Sequence, residues 1–280
     1  MSAAGFLKIT RPANAVMAGA ASVVACLIAT GTLVPSALLL LVVVTLITAA
    51  GNVINDYYDA EIDAVNRADR PIPSGQVSRN AALWYAILLF AAGITACVFT
   101  NPICIVFAVF NSLLLVLYAA RLKSMPVVGN VAVAYLSGSM FLFGGAFAGI
   151  AGLISLIPLA VMTFLAMMAR ELLKDAEDVE GDAAGGAVTL PIWIGVRKTA
   201  YCAFVFTLLS VFASTVPFLW WGFPYLAMIG IVDLVLVVAA FRALHCDSPA
   251  CIRESGASAA LKYSMFASLI VFIISVIFLQ

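Results

Sequence analysis

Apolar residues along this chain come in long, nearly unbroken stretches divided by short polar segments, rather than at the period of an amphipathic helix or a half-buried strand. Each stretch holds about 18 to 23 residues, enough for a helix to cross a hydrocarbon core of about 30 Å. They run over residues 13–30, 35–52, 81–100, 102–120, 127–149, 153–173, 199–217, 222–241 and 259–279. The pattern predicts an all-α fold, a polytopic transmembrane helical bundle of about nine spans making one domain over residues 1–280. Connections after the first, third, fifth and seventh spans are tight turns carrying Gly or Pro. Those after the second, fourth, sixth and eighth hold nearly all the polar residues.

Charge placement supports this count. With the N-terminus in the cytoplasm, Lys8, Arg11, Arg67, Arg70, Arg79, Arg121, Lys123, Arg170, Lys174, Arg197, Lys198, Arg242, Arg253 and Lys262 fall on one face, which accounts for all 14 Lys and Arg. One missed or false span would scatter them across both faces, so the positive-inside rule predicts a cell-membrane protein with its N-terminus cytoplasmic and its C-terminus outside. Lys8 and Arg11 ahead of an apolar run also fit a signal peptide, and Val23 to Cys26 a lipoprotein cleavage site. The run continues past Cys26 to Thr30, which favours a retained span.

Composition removes the soluble alternatives. Hydrophobic residues make up 65% and charged residues 10%, against roughly 25% charged in soluble domains. Zero net charge gives no reason to expect a nucleic-acid partner. Four of the six cysteines lie in apolar runs and imply no disulfide framework. His245, Cys246 and Cys251 sit close together, but their spacing matches no zinc pattern and a fourth ligand is missing.

The candidate chemistry lies where two spans meet polar connections. Asp56, Asp59 and Asp63 are spaced i, i+3 and i+7, and so are Asp175, Asp178 and Asp182. On a helix each triad lines one face at the cytoplasmic end of a span. Stacked carboxylates repel unless cations sit among them, and hard oxygen donors predict Mg²⁺ completed by substrate phosphates. Arg67 and Arg70 follow the first triad; Arg170 and Lys174 precede the second. Pro71 and Pro73 are expected to stop the helix and hold Arg70 in extended backbone beside the acids. Tyr118, Arg121 and Lys123 add a further cationic segment on the same face.

These residues resemble the UbiA superfamily of intramembrane prenyltransferases. The likeness rests on Asn55-Asp56-x-x-Asp59-x-x-x-Asp63, Arg70-Pro71-Ile72-Pro73-Ser74-Gly75, Tyr118-x-x-x-x-Lys123, and Asp178-x-x-x-Asp182 preceded by Lys174. Arg11-Pro12-x-Asn14 is similar to the family's first-helix signature. The resemblance implies a bundle around a central cavity with a cytoplasmic-side active site. It implies Mg²⁺ on all six aspartates, Lys174 beside them, and a prenyl diphosphate contacted by Arg11, Asn14, Asn52, Asn55, Arg67, Arg70, Tyr118, Arg121, Lys123 and Arg170. Gly138, Ser139, Gly144 and Gly145 are expected chiefly to let helices pack closely.

The stretch from Arg170 to Asp182 is most similar to the archaeal members. By that resemblance, geranylgeranyl diphosphate donates its chain to the sn-2 hydroxyl of geranylgeranylglyceryl phosphate, a membrane-lipid precursor. A quinone-ring precursor such as 4-hydroxybenzoate, or a chlorophyllide-like ring, is the alternative acceptor. The rival of another class is an ion-coupled transporter, but carriers place their sites near the bilayer midplane, whereas both triads sit at span ends. Asp233 alone lies well inside a span, and we assign it no role.

Overall fold

The computed structural model describes residues 2–279, the side chains of Val65 and Asn66 excepted. Among these residues there are fifteen α-helices and no strand. The first eight are α1 (Ala3–Ile9), α2 (Pro12–Thr30), α3 (Leu38–Tyr58), α4 (Ala60–Asn66), α5 (Arg79–Cys97), α6 (Pro102–Ala120), α7 (Val128–Phe147) and α8 (Ile150–Ser155). There follow α9 (Ile157–Glu177), α10 (Val179–Ala184), α11 (Leu190–Ile194), α12 (Val196–Ala213), α13 (Phe218–Ala243), α14 (Pro249–Ser255) and α15 (Ala257–Phe278).

Local chemistry sets many of the boundaries. Ser78 and Asn101 cap α5 and α6 by accepting from the backbone N–H groups of Ala81 and Cys104, and Pro102 occupies the first turn of α6, where no N–H is needed. Gly31 ends α2 in the left-handed conformation that lacks a Cβ penalty there. Within α13 the backbone breaks at Gly222, followed by Pro224, a helix breaker.

Among the described residues, eight helical segments are long and apolar enough to cross a membrane, each overlapping an expected span. The remaining expected span, 153–173, falls mostly on α9, which has 21 residues and turns polar past Met168. Exposed Leu88, Val106, Leu113 and Ile231 point away from the protein interior, as lipid-facing side chains do. The protein is therefore multi-pass. Cys26 is fully buried in an uninterrupted α2.

The chain divides into two compact units, Met1–Leu122 with Leu142–Ile154, and Lys123–Phe141 with Ser155–Gln280. In the first, α3 is the hub, packing against α2, α5 and α6 around Leu40, Val43, Ile47, Cys97, Cys104 and Phe143. In the second, α9 packs against α12, α14 and α15 around Ala169, Leu172, Leu173, Ala176, Ile252 and Leu261. Close helix approach uses the expected glycines. A Cβ on Gly138 would stand 2.6 Å from the Ala160 carbonyl, and one on Gly144 would run into the Ser22 carbonyl.

One expectation fails. Cys246 and Cys251 form a disulfide across five residues of sequence, with Cα atoms 5.4 Å apart. Composition argued against a framework of several bridges, and it carried no information about one local pair brought together by the turn before α14.

Candidate active site

The first acidic cluster is built at the end of α3. Asp59 caps this helix with near-helical backbone, and the N–H groups of Asp59 and Asp63 still donate to the carbonyls four residues back. Helical register therefore continues into α4, so Asp56 and Asp63 stay on one face. The Arg70 Nη1 atom bridges them, 3.1 Å from Asp56 Oδ1 and 2.7 Å from Asp63 Oδ2. Arg11 reaches the same Asp56 oxygen at 2.5 Å. Asp56 is 4% exposed, and a carboxylate that deep is tolerated only with paired cations. Asn55 donates its amide to Asp59 Oδ2 at 2.8 Å.

Arg11 holds φ 48°, ψ 64° at the start of α2, a left-handed conformation that costs a non-glycine residue about 1 kcal/mol or more. The Asn52 amide donates to the adjacent Thr10 carbonyl at 2.9 Å. Asn52 thus braces the corner that carries Arg11. The segment after Arg70 is a compact turn rather than extended backbone. The Ser74 N–H donates to the Arg70 carbonyl, the Val77 N–H to the Pro71 carbonyl, and Gly75 takes φ 72°. The proline φ near −65° suits a turn as well as an extended strand, and the backbone bonds select the turn. Asn14 and Arg67 are exposed, and Tyr118 is half-buried near the end of α6, which Arg121 caps.

The second cluster straddles the break between α9 and α10. Asp178 is the hinge residue, and helical hydrogen bonds run across it, from the Asp178 N–H to the Lys174 carbonyl and from the Asp182 N–H to the Asp178 carbonyl. Asn130 on α7, 7% exposed, donates its amide to Asp175 Oδ2 at 2.8 Å. Asp175 is pushed up to about 7, first by burial and further by Glu171 and Asp182, against the lowering influence of Asn130 and Lys174. Burial and Asp178 also raise Asp182. Arg170 pairs with its neighbour Glu171, which is buried. Lys174 is half-buried on α9, and Lys123 lies in a short 3₁₀ turn after α6.

Among the described residues, no three acids, histidines or cysteines form a ready-made metal cage. The donor chemistry nevertheless fits Mg²⁺, which keeps several waters and is bound through one or two carboxylates plus phosphate oxygens. Asp175 is raised first by burial, and a hard cation beside it would favour its ionised form.

Comparison with known proteins decides the family. The model of the UbiA prenyltransferase family matches residues 16–274. The chain belongs to this family. A digeranylgeranylglyceryl phosphate synthase from Methanoregula boonei is 61% identical over 279 residues, covering 100% of both chains. A solved structure of a digeranylgeranylglyceryl phosphate synthase superposes with a TM-score of 0.82 at 34% identity, covering 98% of each chain. A UbiA homolog from Archaeoglobus fulgidus bound to GPP and Mg²⁺ shares the fold, with a TM-score of 0.62 at 17% identity over 94% of this chain and 99% of its own. UbiA membership makes the protein a membrane-embedded prenyltransferase and sets aside the ion-coupled transporter. The shared helix face of the aspartates was legible from spacing, and the nearness of Arg70 to the first triad from the segment that follows it. Asn130 was not picked out, although an amide inside an apolar span is a visible signal.

Proposed function

We propose that this protein transfers a geranylgeranyl group from geranylgeranyl diphosphate to the sn-2 hydroxyl of geranylgeranylglyceryl phosphate, releasing diphosphate. The observation that carries this reading is the 61% identity, over the whole of both chains, with a synthase of that name. Residues 1–280 act as one catalytic domain at the cytoplasmic face of the membrane.

Asp56, Asp59, Asp63, Asp175, Asp178 and Asp182 would hold Mg²⁺, which when bound neutralises the diphosphate and stabilises charge on the leaving group. Arg70 and Arg11 balance the buried Asp56, and both would donate to phosphate oxygens. Lys123, Lys174, Arg67, Arg121 and Arg170 supply further positive charge, with Asn14, Asn55 and Tyr118 as polar contacts. The allylic C–O bond breaks with its electron pair leaving on the diphosphate. The sn-2 oxygen then bonds to the allylic carbon and loses its proton. Negative charge on the leaving group is greatest as that bond breaks, so fixed cations stabilise the transition state more than bound substrate.

The test is an assay of membranes containing the protein, with geranylgeranyl diphosphate and competing acceptors. Mg²⁺-dependent formation of the digeranylgeranyl ether lipid is expected. Prenylated 4-hydroxybenzoate with no ether lipid would move the assignment to the aromatic acceptor.

A further inference from the structure

The second acidic segment is held from outside by two residues that its motif does not contain. Glu177, the last residue of α9, precedes the Asp178 hinge. Its carboxylate accepts from Ser258 Oγ, on α15, at 2.7 Å. Its backbone carbonyl accepts from Arg253 Nη1, on α14, at 3.1 Å, and Arg253 Nη2 stands 3.9 Å from Glu180 Oε2 on α10. The two residues thus grip the chain on both sides of Asp178.

The corner that carries them is well fixed. Ser248 caps α14, the Cys246–Cys251 bridge closes the turn leading into it, and Gly256 takes φ 62° between α14 and α15. Ile252, fully buried, packs α14 into the core shared with Leu172, Leu173 and Ala176 of α9. Ser258 itself is 9% exposed. Where the chain bends at Asp178 sets the direction of Asp178 and Asp182 relative to Asp175. Holding Glu177 at both its backbone and its side chain fixes that bend.

We propose that Ser258 and Arg253 are positioning residues that set the geometry of the Asp175, Asp178 and Asp182 carboxylates for divalent cation and diphosphate. This rests on the reading of these aspartates as metal ligands. Ser258 acts through Glu177, and Arg253 through Glu177 and Glu180.

The experiment uses the full-length protein in detergent, in wild-type, Ser258→Ala, Ser258→Thr, Arg253→Gln and Asp178→Ala forms. Mn²⁺ binding is followed by electron paramagnetic resonance in the presence of inorganic diphosphate, alongside kcat, the half-saturating Mg²⁺ concentration and thermal unfolding. Ser258→Ala is expected to weaken Mn²⁺ binding and raise the half-saturating Mg²⁺ by about tenfold, with kcat at saturating Mg²⁺ held within about twofold. Ser258→Thr, which keeps the hydroxyl, restores both, and Arg253→Gln shifts them in the same direction. Unchanged Mn²⁺ binding in both Ser258→Ala and Arg253→Gln overturns the positioning role. So does a loss that tracks thermal unfolding and is not restored by Thr. Loss of Mn²⁺ binding in Asp178→Ala supports the underlying ligand assignment. Retention of full binding in that variant removes the assignment itself, which separates the two failures.

Discussion

Asp56 accepts two guanidinium groups on one oxygen while only 4% exposed, and Arg70 shares a single nitrogen between Asp56 and Asp63. Removing such a carboxylate leaves its arginines without their partner and the cluster without a donor. Asp56→Ala and Asp178→Ala are each expected to lower Mg²⁺-dependent diphosphate release by at least about a hundredfold, with membrane insertion intact. Diphosphate-release kinetics on purified protein, beside a membrane-fractionation blot, measure both quantities; turnover within a few-fold of wild type in either variant contradicts the role. These acids were legible because i, i+3 and i+7 positions share a helix face whatever the tertiary fold does. Asn52, expected at substrate, also braces the Thr10 carbonyl, 42 residues away in sequence. No local pattern encodes a partner that distant. Ser258, 81 residues from Glu177, was hidden for the same reason.

At the scale of elements, the long spans were readable, while the short helices α1, α8, α11 and α14 and the interruptions were not. The breaks at Asp59 and Asp178 leave helical hydrogen bonding nearly intact, so each triad keeps its face even though two helices are formed at each site. The Arg70 to Val77 segment became a turn because its backbone groups found partners within the segment. Helix approach is tightest at Gly144 on α7. There a Cβ would meet the Ser22 carbonyl and lie 2.9 Å from the Cys26 nitrogen, both backbone atoms that cannot swing aside. Gly144→Leu is expected to destabilise the protein by about 2 kcal/mol or more, read as a fall in melting temperature in detergent, with Gly144→Ala intermediate. Gly230→Ala on α13 is the control, since a Cβ there meets nothing within 4 Å. It should be neutral or slightly stabilising, as Ala is the better helix former.

For the whole molecule, the number of crossings determines where the C-terminus lies. Among the described residues, eight segments meet the length and apolarity needed to span, and α9 is a ninth helix of spanning length, ending in its charged turns. If α9 crosses, the count is odd and the termini lie on opposite faces. A C-terminal alkaline phosphatase fusion is then expected to be active and a C-terminal green fluorescent protein fusion dark. The reverse result would return the C-terminus to the cytoplasm and remove α9 from the spans. Spans, charge asymmetry and acidic triads are local properties of consecutive residues, set by hydrocarbon thickness and by the 3.6-residue helical turn. They could be read from the chain with no knowledge of its fold. Tertiary structure alone decided which arginine neutralises Asp56, that Asn130 supports Asp175, that Cys246 and Cys251 join, and that Ser258 and Arg253 hold the Asp178 hinge. Each of these depends on where side chains come to rest in space, and helix packing sets that.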